Sequence, residues 1–284
     1  MRKGAETADA DRLAREESFH DAWGRDADVS TLDVVRAAEA CTSPEIRHIT
    51  RVMGDLRGRR VLDVGCGLGE ASVYFATKGA AVTATDLSSG MLEATGRLAA
   101  QHGVEVARHR SAAEDLRLPA DRVFDFIYVG NLFHHVDIEA TLLRLIPHLA
   151  PGGALLSWDP LAYNPLINVY RAIATKVRTD DEHPLTLRDL ATFRRHFHEV
   201  RCDYFWLTTL SIFVAMAVLQ RRDPNKERYW KSVVDEVDRW KPLYLPLERL
   251  DARLLRHLPF LRPLCWNVVI DARLPRRPTP PAAP

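Results

Sequence analysis

The ten residues Val61-Leu62-Asp63-Val64-Gly65-Cys66-Gly67-Leu68-Gly69-Glu70 constrain the fold of this chain more than any other stretch. Val61, Leu62 and Val64 around Asp63 have the pattern of a strand buried in a parallel sheet. Three glycines follow at a spacing of two. Glycine takes positive φ without steric cost and puts no Cβ in the path of a ligand. A helix opening at Glu70 would aim its free N–H groups at that ligand.

The spacing is G-x-G-x-G, not the G-x-G-x-x-G of dinucleotide-binding folds. Charge separates the two ligands further. Asp63 before the turn and Glu70 after it would repel a pyrophosphate, whereas both suit the sulfonium and ammonium of S-adenosylmethionine (SAM). A second strand, Ala81-Val82-Thr83-Ala84-Thr85-Asp86, ends in an acid that can accept from both ribose hydroxyls.

On these residues, 58–160 resemble a class I SAM-dependent methyltransferase of the small-molecule, ubiquinone/menaquinone-type group. VLDVGCGLGE resembles the family's first motif and TDLSSGML its second; SAAEDLRLP, FDFIYVGN and HLAPGGALLSWDP follow in family order. The resemblance implies an α/β fold: a Rossmann-like, seven-stranded, mostly parallel sheet. It also implies cofactor contacts from Asp63, Gly65, Cys66, Gly67, Gly69, Asp86, Leu87, Met91 and Asn131, with Met91 beside the adenine. Ala112 stands where the family often has an acid for the adenine amino group, so the backbone at Ala113 or the Glu114 carboxylate takes that contact.

Strand and helix alternate with short turns from residue 60 to 158, which implies right-handed crossovers and ligands at the carboxyl ends of the strands. Three helices are expected before the sheet. The first lies near 11–23, where Phe19, His20 and Trp23 could form a cofactor lid. The second is read as capped by Ser30 with Asp33 in a capping box, and the third as opening at Ser43-Pro44. Strands are read at 199–206 and 265–272, with roughly sixty residues between them where the family has a tight hairpin. The boundaries that follow are N-terminal helices at 1–57, a cofactor core at 58–206 and a helical apolar insertion at 207–262. The last core strand is placed at 263–274, and a proline-rich tail, read as disordered, at 275–284. The insertion reads either as a subdomain burying its own faces or as a cap over a greasy pocket or against a membrane.

In-line methyl transfer asks the protein mainly to align the acceptor and exclude water. His135, in the string GNLFHHV, matches the family histidine near the methyl donor and is a candidate base. Asp159, directly after the fifth strand, is a second catalytic candidate; His134, Tyr163, Asn164 and His183 are candidates for the acceptor pocket. The run Asp180-Asp181-Glu182-His183 is contiguous and precedes a helix cap, so it reads as a solvated loop and no metal site is expected.

Lys+Arg 39 against Asp+Glu 38 provides no basic excess for nucleic acid, and no N-P-P-Y-like segment follows the fourth strand. The four cysteines have no metal-ligand spacing, and Cys66 reads as a small filler of the glycine turn. The charged N-terminus carries no apolar signal, so a cytoplasmic protein is expected, with peripheral membrane contact open. The combined expectation is methyl transfer from SAM to a lipophilic or aromatic small molecule, with an oxygen acceptor mildly preferred. A non-catalytic SAM- or SAH-binding protein, a peptide carboxylate acceptor, and carbon or nitrogen acceptors stay open as alternatives.

Overall fold

The computed structural model describes residues 17, 18, 20–173 and 182–276; Phe19, Asp180, Asp181 and most of the proline-rich tail lie outside them. One seven-stranded sheet organises the molecule: β1 (Arg60–Val64), β2 (Ala81–Asp86), β3 (Val106–Arg110), β4 (Phe124–Gly130), β5 (Leu149–Pro160), β6 (Phe197–Phe205) and β7 (Asn267–Pro275). The spatial order is β3-β2-β1-β4-β5-β7-β6. Strands β1 to β5 run parallel, and β7 lies antiparallel between β5 and β6. The strand order reverses between β1 and β4, so the crevice at their carboxyl ends is the topological switch point where such sheets take ligands. Register brings Val64 level with Thr85 and Val129, so the Gly65–Gly69 turn, Asp86 and Gly130 share one end of the sheet.

Helices cover both faces. A first helix, α1 (residues 20–26), precedes α2 (Val34–Glu39) and α3 (Pro44–Met53); α4 (Glu70–Thr77) and α5 (Ser89–Gln101) are the first two crossovers. Ile49, Val61, Phe75, Met91 and Leu98 pack one core; Leu62, Ile127, Leu142, Phe193 and Ile270 pack the other. The latter is roofed by α6 (Ile138–Leu145) and α8 (Leu187–His196), the second opened by a Thr186–Asp189 capping box.

The insertion supports itself. Trp206, Leu210, Phe213, Met216, Tyr229, Val233, Trp240 and Tyr244 form a third buried cluster, joined by Ile167 of a helix α7 (Pro165–Ile173). Its elements are α9 (Ser211–Val214) with a π-turn at Ala215–Leu219, then α10 (Tyr229–Asp235) and α11 (Val237–His257). Asp251, buried in α11, accepts hydrogen bonds from the backbone of Leu207, Thr208 and Thr209 and from both threonine hydroxyls, which anchors the start of the insertion. Among the described residues no helix is long and apolar enough to cross a membrane.

Local readings shift in four places. Ser30 sits inside a short 3-10 turn (Val29–Thr31), and Asp33 itself caps α2 by accepting from the Arg36 N–H at 3.0 Å. An acid at N-cap makes the bond that a capping box would have assigned to Ser30. Strand β6 ends at Phe205, because Trp206 adopts φ 66° and turns the chain into the insertion. Residues 226–240, whose apolar face reads as one amphipathic helix, are broken at Glu236. Leu247, Leu250 and Leu254, read as a separate helical segment, belong to the 21-residue α11 that starts at Val237 and carries Pro242 and Pro246 inside it. Strand β5 runs through Trp158-Asp159-Pro160 in antiparallel pairing with β7, so Asp159 lies within the strand and not after it. The Pro-interrupted loop expected beyond it becomes α7 within a few residues, because Pro165 opens the helix and Asn164 accepts from the Ile167 N–H at 3.0 Å.

Candidate active site

The three motif glycines have different duties. All three take positive φ: 69° at Gly65, 55° at Gly67 and 86° at Gly69. A Cβ on Gly65 would strike the Leu132 side chain at 2.7 Å, and one on Gly69 would strike Thr95 at 2.6 Å. Those two residues let the turn pack on its neighbours. A Cβ on Gly67 would meet nothing within 4 Å, so Gly67 faces the open crevice. Its N–H donates to Asp86 Oδ2 at 3.0 Å, while Ser88 N donates to Asp86 Oδ1 at 2.9 Å, which fixes the carboxylate at the tip of β2. Burial pushes the Asp86 carboxyl up, against these two N–H bonds and the nearby His20 ring.

Asp63 lies beneath the turn, 1% exposed, and accepts from Ser72 Oγ at 2.6 Å. Burial pushes it up to about 7, with the adjacent Asp86 adding to the effect. Cys66 is held against Thr95 Oγ1 at 3.5 Å, and burial raises its thiol well above the ordinary value, so it is inert filler. Met91 is fully buried in the core below the crevice. Leu87 uses its carbonyl to accept from Arg110 Nε at 3.0 Å. Ala113 opens a 3-10 turn, and Glu114 Oε1 accepts at 3.1 Å from the N–H of Asp137, the N-cap of α6. Glu70 opens α4 at an exposed position, within electrostatic reach of Lys231 and Asp235 on α10.

Helix α1 closes over this end. Asp21 accepts from Ser88 Oγ at 2.5 Å and from Gly90 N at 2.9 Å, capping the start of α5; those bonds hold its carboxyl at about 2. The crossing is so close that a Cβ on Gly24 would lie 2.4 Å from the Gly90 carbonyl carbon. Trp23 receives the Arg228 guanidinium 4.3 Å over its ring, so α1 touches the insertion as well as α5.

On the acceptor side, Asn131 leaves β4 with φ 56° and donates its N–H to Trp158 O at 2.7 Å. Asp159, fully buried, sits behind the next turn. Its Oδ1 accepts from His134 N at 3.2 Å and pairs with His134 Nδ1 at 2.9 Å. Burial pushes Asp159 well up, opposed by N–H bonds from His134 and Phe133. The carboxylate expected at the acceptor is thus turned onto His134, which is itself only 4% exposed. The His135 ring lies against it, tilted by 44° with ring centroids 4.1 Å apart. Tyr163 is exposed and its hydroxyl accepts from Leu187 N at 3.0 Å; Asn164 is buried as the α7 cap and donates to Leu264 O at 2.6 Å. His183 is exposed at its side chain, but its N–H donates to His134 O at 2.8 Å. That bond carries the neighbouring Glu182 to the histidine pair, and ligating atoms of His134, His135 and Glu182 all lie within 4.8 Å of one another. Sequence reasoning separated these parts: the 25-residue interval between His134 and Asp159 has no local signature, and only the adjacent histidines were a cue.

Residues 61–153 match the family model described as a methyltransferase domain. Ubiquinone biosynthesis O-methyltransferase of Alkalilimnicola ehrlichii is 31% identical over 118 residues, 42% of this chain and 48% of that protein. The enzyme of the same name from Rickettsia canadensis is 27% identical over 139 residues, 49% of this chain and 57% of that protein. The chain thus spans about half the length of the curated relatives it matches. Among solved structures, a chain of the complex between the Haloferax volcanii Trm112 methyltransferase activator and a proposed methyltransferase aligns with TM-score 0.58 at 17% identity, covering 90% of this chain and 98% of that one. Phosphoethanolamine N-methyltransferase 2 of Haemonchus contortus, solved with SAM, aligns with TM-score 0.51 at 16% identity over 81% of this chain and 52% of that one. Both share the fold.

Proposed function

We propose that this chain, whose residues 61–153 form a class I SAM-dependent methyltransferase domain, transfers the methyl group of SAM to an oxygen of a lipophilic or aromatic small molecule. The observation that carries the reading is the open Gly67 turn pinned to Asp86 at one side of the switch-point crevice, with the His134–His135 pair at the other. Asp86 accepts from the ribose hydroxyls, and the Gly65–Gly69 turn and the start of α4 face the amino-acid end of the cofactor. Asp63 and Glu70 favour its positive charges. Helix α1 lies over the nucleoside end. Leu87, Met91, Ala113 and Glu114 border the adenine side, and Asn131 shapes the turn beside the methyl.

The reaction forms an O–CH3 bond as the S–CH3 bond breaks, with the bonding pair left on sulfur and the hydroxyl proton given up. Its activation falls to His135, while Asp159 is a positioning residue that holds the His134 ring and the turn carrying both histidines. The aromatic insertion, with Tyr163 and His183 at its approach, walls the acceptor. Names of the matched relatives support oxygen as the methylated atom over carbon or nitrogen.

Calorimetric titration with SAM and with S-adenosylhomocysteine, followed by a labelled-methyl screen of catechols and other phenols, tests the reading. Micromolar binding of both and methyl transfer to a phenol is the expected result. A folded protein that binds neither nucleoside refutes it.

A further inference from the structure

We propose that His134, His135 and Glu182 form a site for a divalent transition-metal ion of the zinc class, which takes the acceptor's hydroxyl oxygen as a further ligand. The role at the acceptor rests on the methyl-transfer reading; the binding itself stands on the geometry.

The three side chains reach one point from two loops. His134 and His135 end the turn after β4, and Glu182 arrives on the segment leading to α8. Their ligating atoms lie within 4.8 Å of one another. A tetrahedral ion with bonds of about 2.1 Å needs separations of roughly 3.4 Å, so closure takes a rotamer adjustment and no rearrangement of backbone. The backbone is already fixed. His183 N donates to His134 O at 2.8 Å, Leu185 N to Pro160 O at 2.8 Å, and Ala162 N to Leu185 O at 3.0 Å. Leu161 and Leu185 pair as a parallel bridge, so the Glu182 segment is laced to the end of β5.

The donor set selects the ion. Two imidazoles and one carboxylate favour Zn2+, Co2+ or Mn2+ over the all-oxygen coordination of Mg2+ or Ca2+. Three protein ligands with one open position is the composition of catalytic zinc sites. His134 also has the support such ligands usually carry: its Nδ1 is committed to Asp159 Oδ1 at 2.9 Å, which leaves Nε2 as the ligating nitrogen. Glu182 has a competing neighbour in Arg228, whose guanidinium lies over Trp23 and is acted on by that carboxylate.

With an acceptor hydroxyl in the open position, His135 would serve as a ligand in place of a base: the ion would lower the hydroxyl's pKa and the proton would leave to solvent. An oxygen lone pair then forms the O–CH3 bond as S–CH3 breaks, with its electrons staying on sulfur.

The test uses the full chain stripped with chelator and titrated with Co2+, followed by visible absorption and by displacement with Zn2+. One Co2+ per chain with a d–d band, weakened about ten-fold or more by Glu182→Gln and by His135→Gln, supports the site. Both variants should leave SAM affinity unchanged in calorimetry, which reports that the fold and the cofactor crevice survive. Absence of stoichiometric Co2+ uptake, or uptake equal in the wild type and both variants, overturns it. SAM binding without metal binding refutes the metal site alone; metal binding without SAM binding upholds the site and refutes the methyl-transfer reading.

Discussion

Residues 61–153 and the insertion after Trp206 meet at the same end of the sheet and are built on different plans. The first region offers its ligand backbone and one fixed carboxylate: the Gly65–Gly69 turn, the Gly67 N–H and Asp86. The second offers aromatic bulk, with Trp206, Phe213, Tyr229, Tyr244 and Trp266 packed edge to face around one another. Backbone recognition needs particular residues at fixed spacing, so it leaves a motif. Aromatic packing needs only volume and apolarity, which many sequences supply. The family model accordingly matches 61–153, the stretch that holds the glycine turn and Asp86, and does not reach the insertion.

The largest effect should come from a single methyl-branched side chain on the cofactor side. Gly67→Val puts a β-branched residue at φ 55° and fills the open crevice, and SAM binding should be lost beyond calorimetric detection. Asp86→Ala, which removes a charged acceptor, should weaken SAM by roughly 10- to 100-fold. Circular dichroism should show both variants folded. If Gly67→Val binds SAM normally, the open space at Gly67 is not where the cofactor lies, and the contrast between the two regions fails.

The acceptor side should respond in rate. His135→Ala is expected to lower turnover by roughly 10²- to 10⁴-fold with SAM affinity nearly unchanged. Equal losses in turnover and SAM affinity would make His135 a part of the cofactor site instead.

What was legible in the sequence follows this division. All seven strands, the glycine turn, Asp86 and the start of α8 could be read because strand period, positive φ and caps are local properties. The His134–Asp159 pair, the arrival of Glu182 beside it, and the Asp251 anchor of the insertion depend on residues 25 to 48 positions apart, which only the fold brings together. A lid role for α1 was open to sequence reading only as a resemblance; the contacts that seat α1 on α5, the Gly24–Gly90 crossing and the Asp21 cap, join residues more than sixty positions apart.

That crossing allows a milder break. Gly90→Val places atoms where the Asp21 carbonyl oxygen stands 2.5 Å from the first of them, so α1 must lift. Limited proteolysis should then cut within residues 17–27, and SAM affinity should fall by about ten-fold while α5 stays intact. Unchanged affinity with α1 released would show that the helix packs on the domain without serving the cofactor.

The smallest effect lies beside the insertion, where α3 grips β7. Glu45, at the start of α3, is 7% exposed and accepts from Asn267 Nδ2 at 2.6 Å on β7. Burial outweighs its hydrogen bonds from Asn267 and Trp206 and pushes the carboxyl up to about 7. The sign follows from proton counting. Between the ordinary glutamate value of 4.5 and about 7, the folded chain holds a proton that the unfolded chain has released. Stability contributed by Glu45 is therefore complete below the lower value and declines as pH rises through this window, by at most about 1.4 kcal/mol per pH unit. Glu45→Gln keeps an oxygen for Asn267 and removes the titration. Urea midpoints measured from pH 5 to 7.5 should fall less steeply in the variant than in the wild type, with the two curves closest at the acidic end. Parallel curves would mean that Glu45 is ionised in the folded chain, and that α3 grips the strand beside the insertion as a carboxylate rather than as a neutral acid.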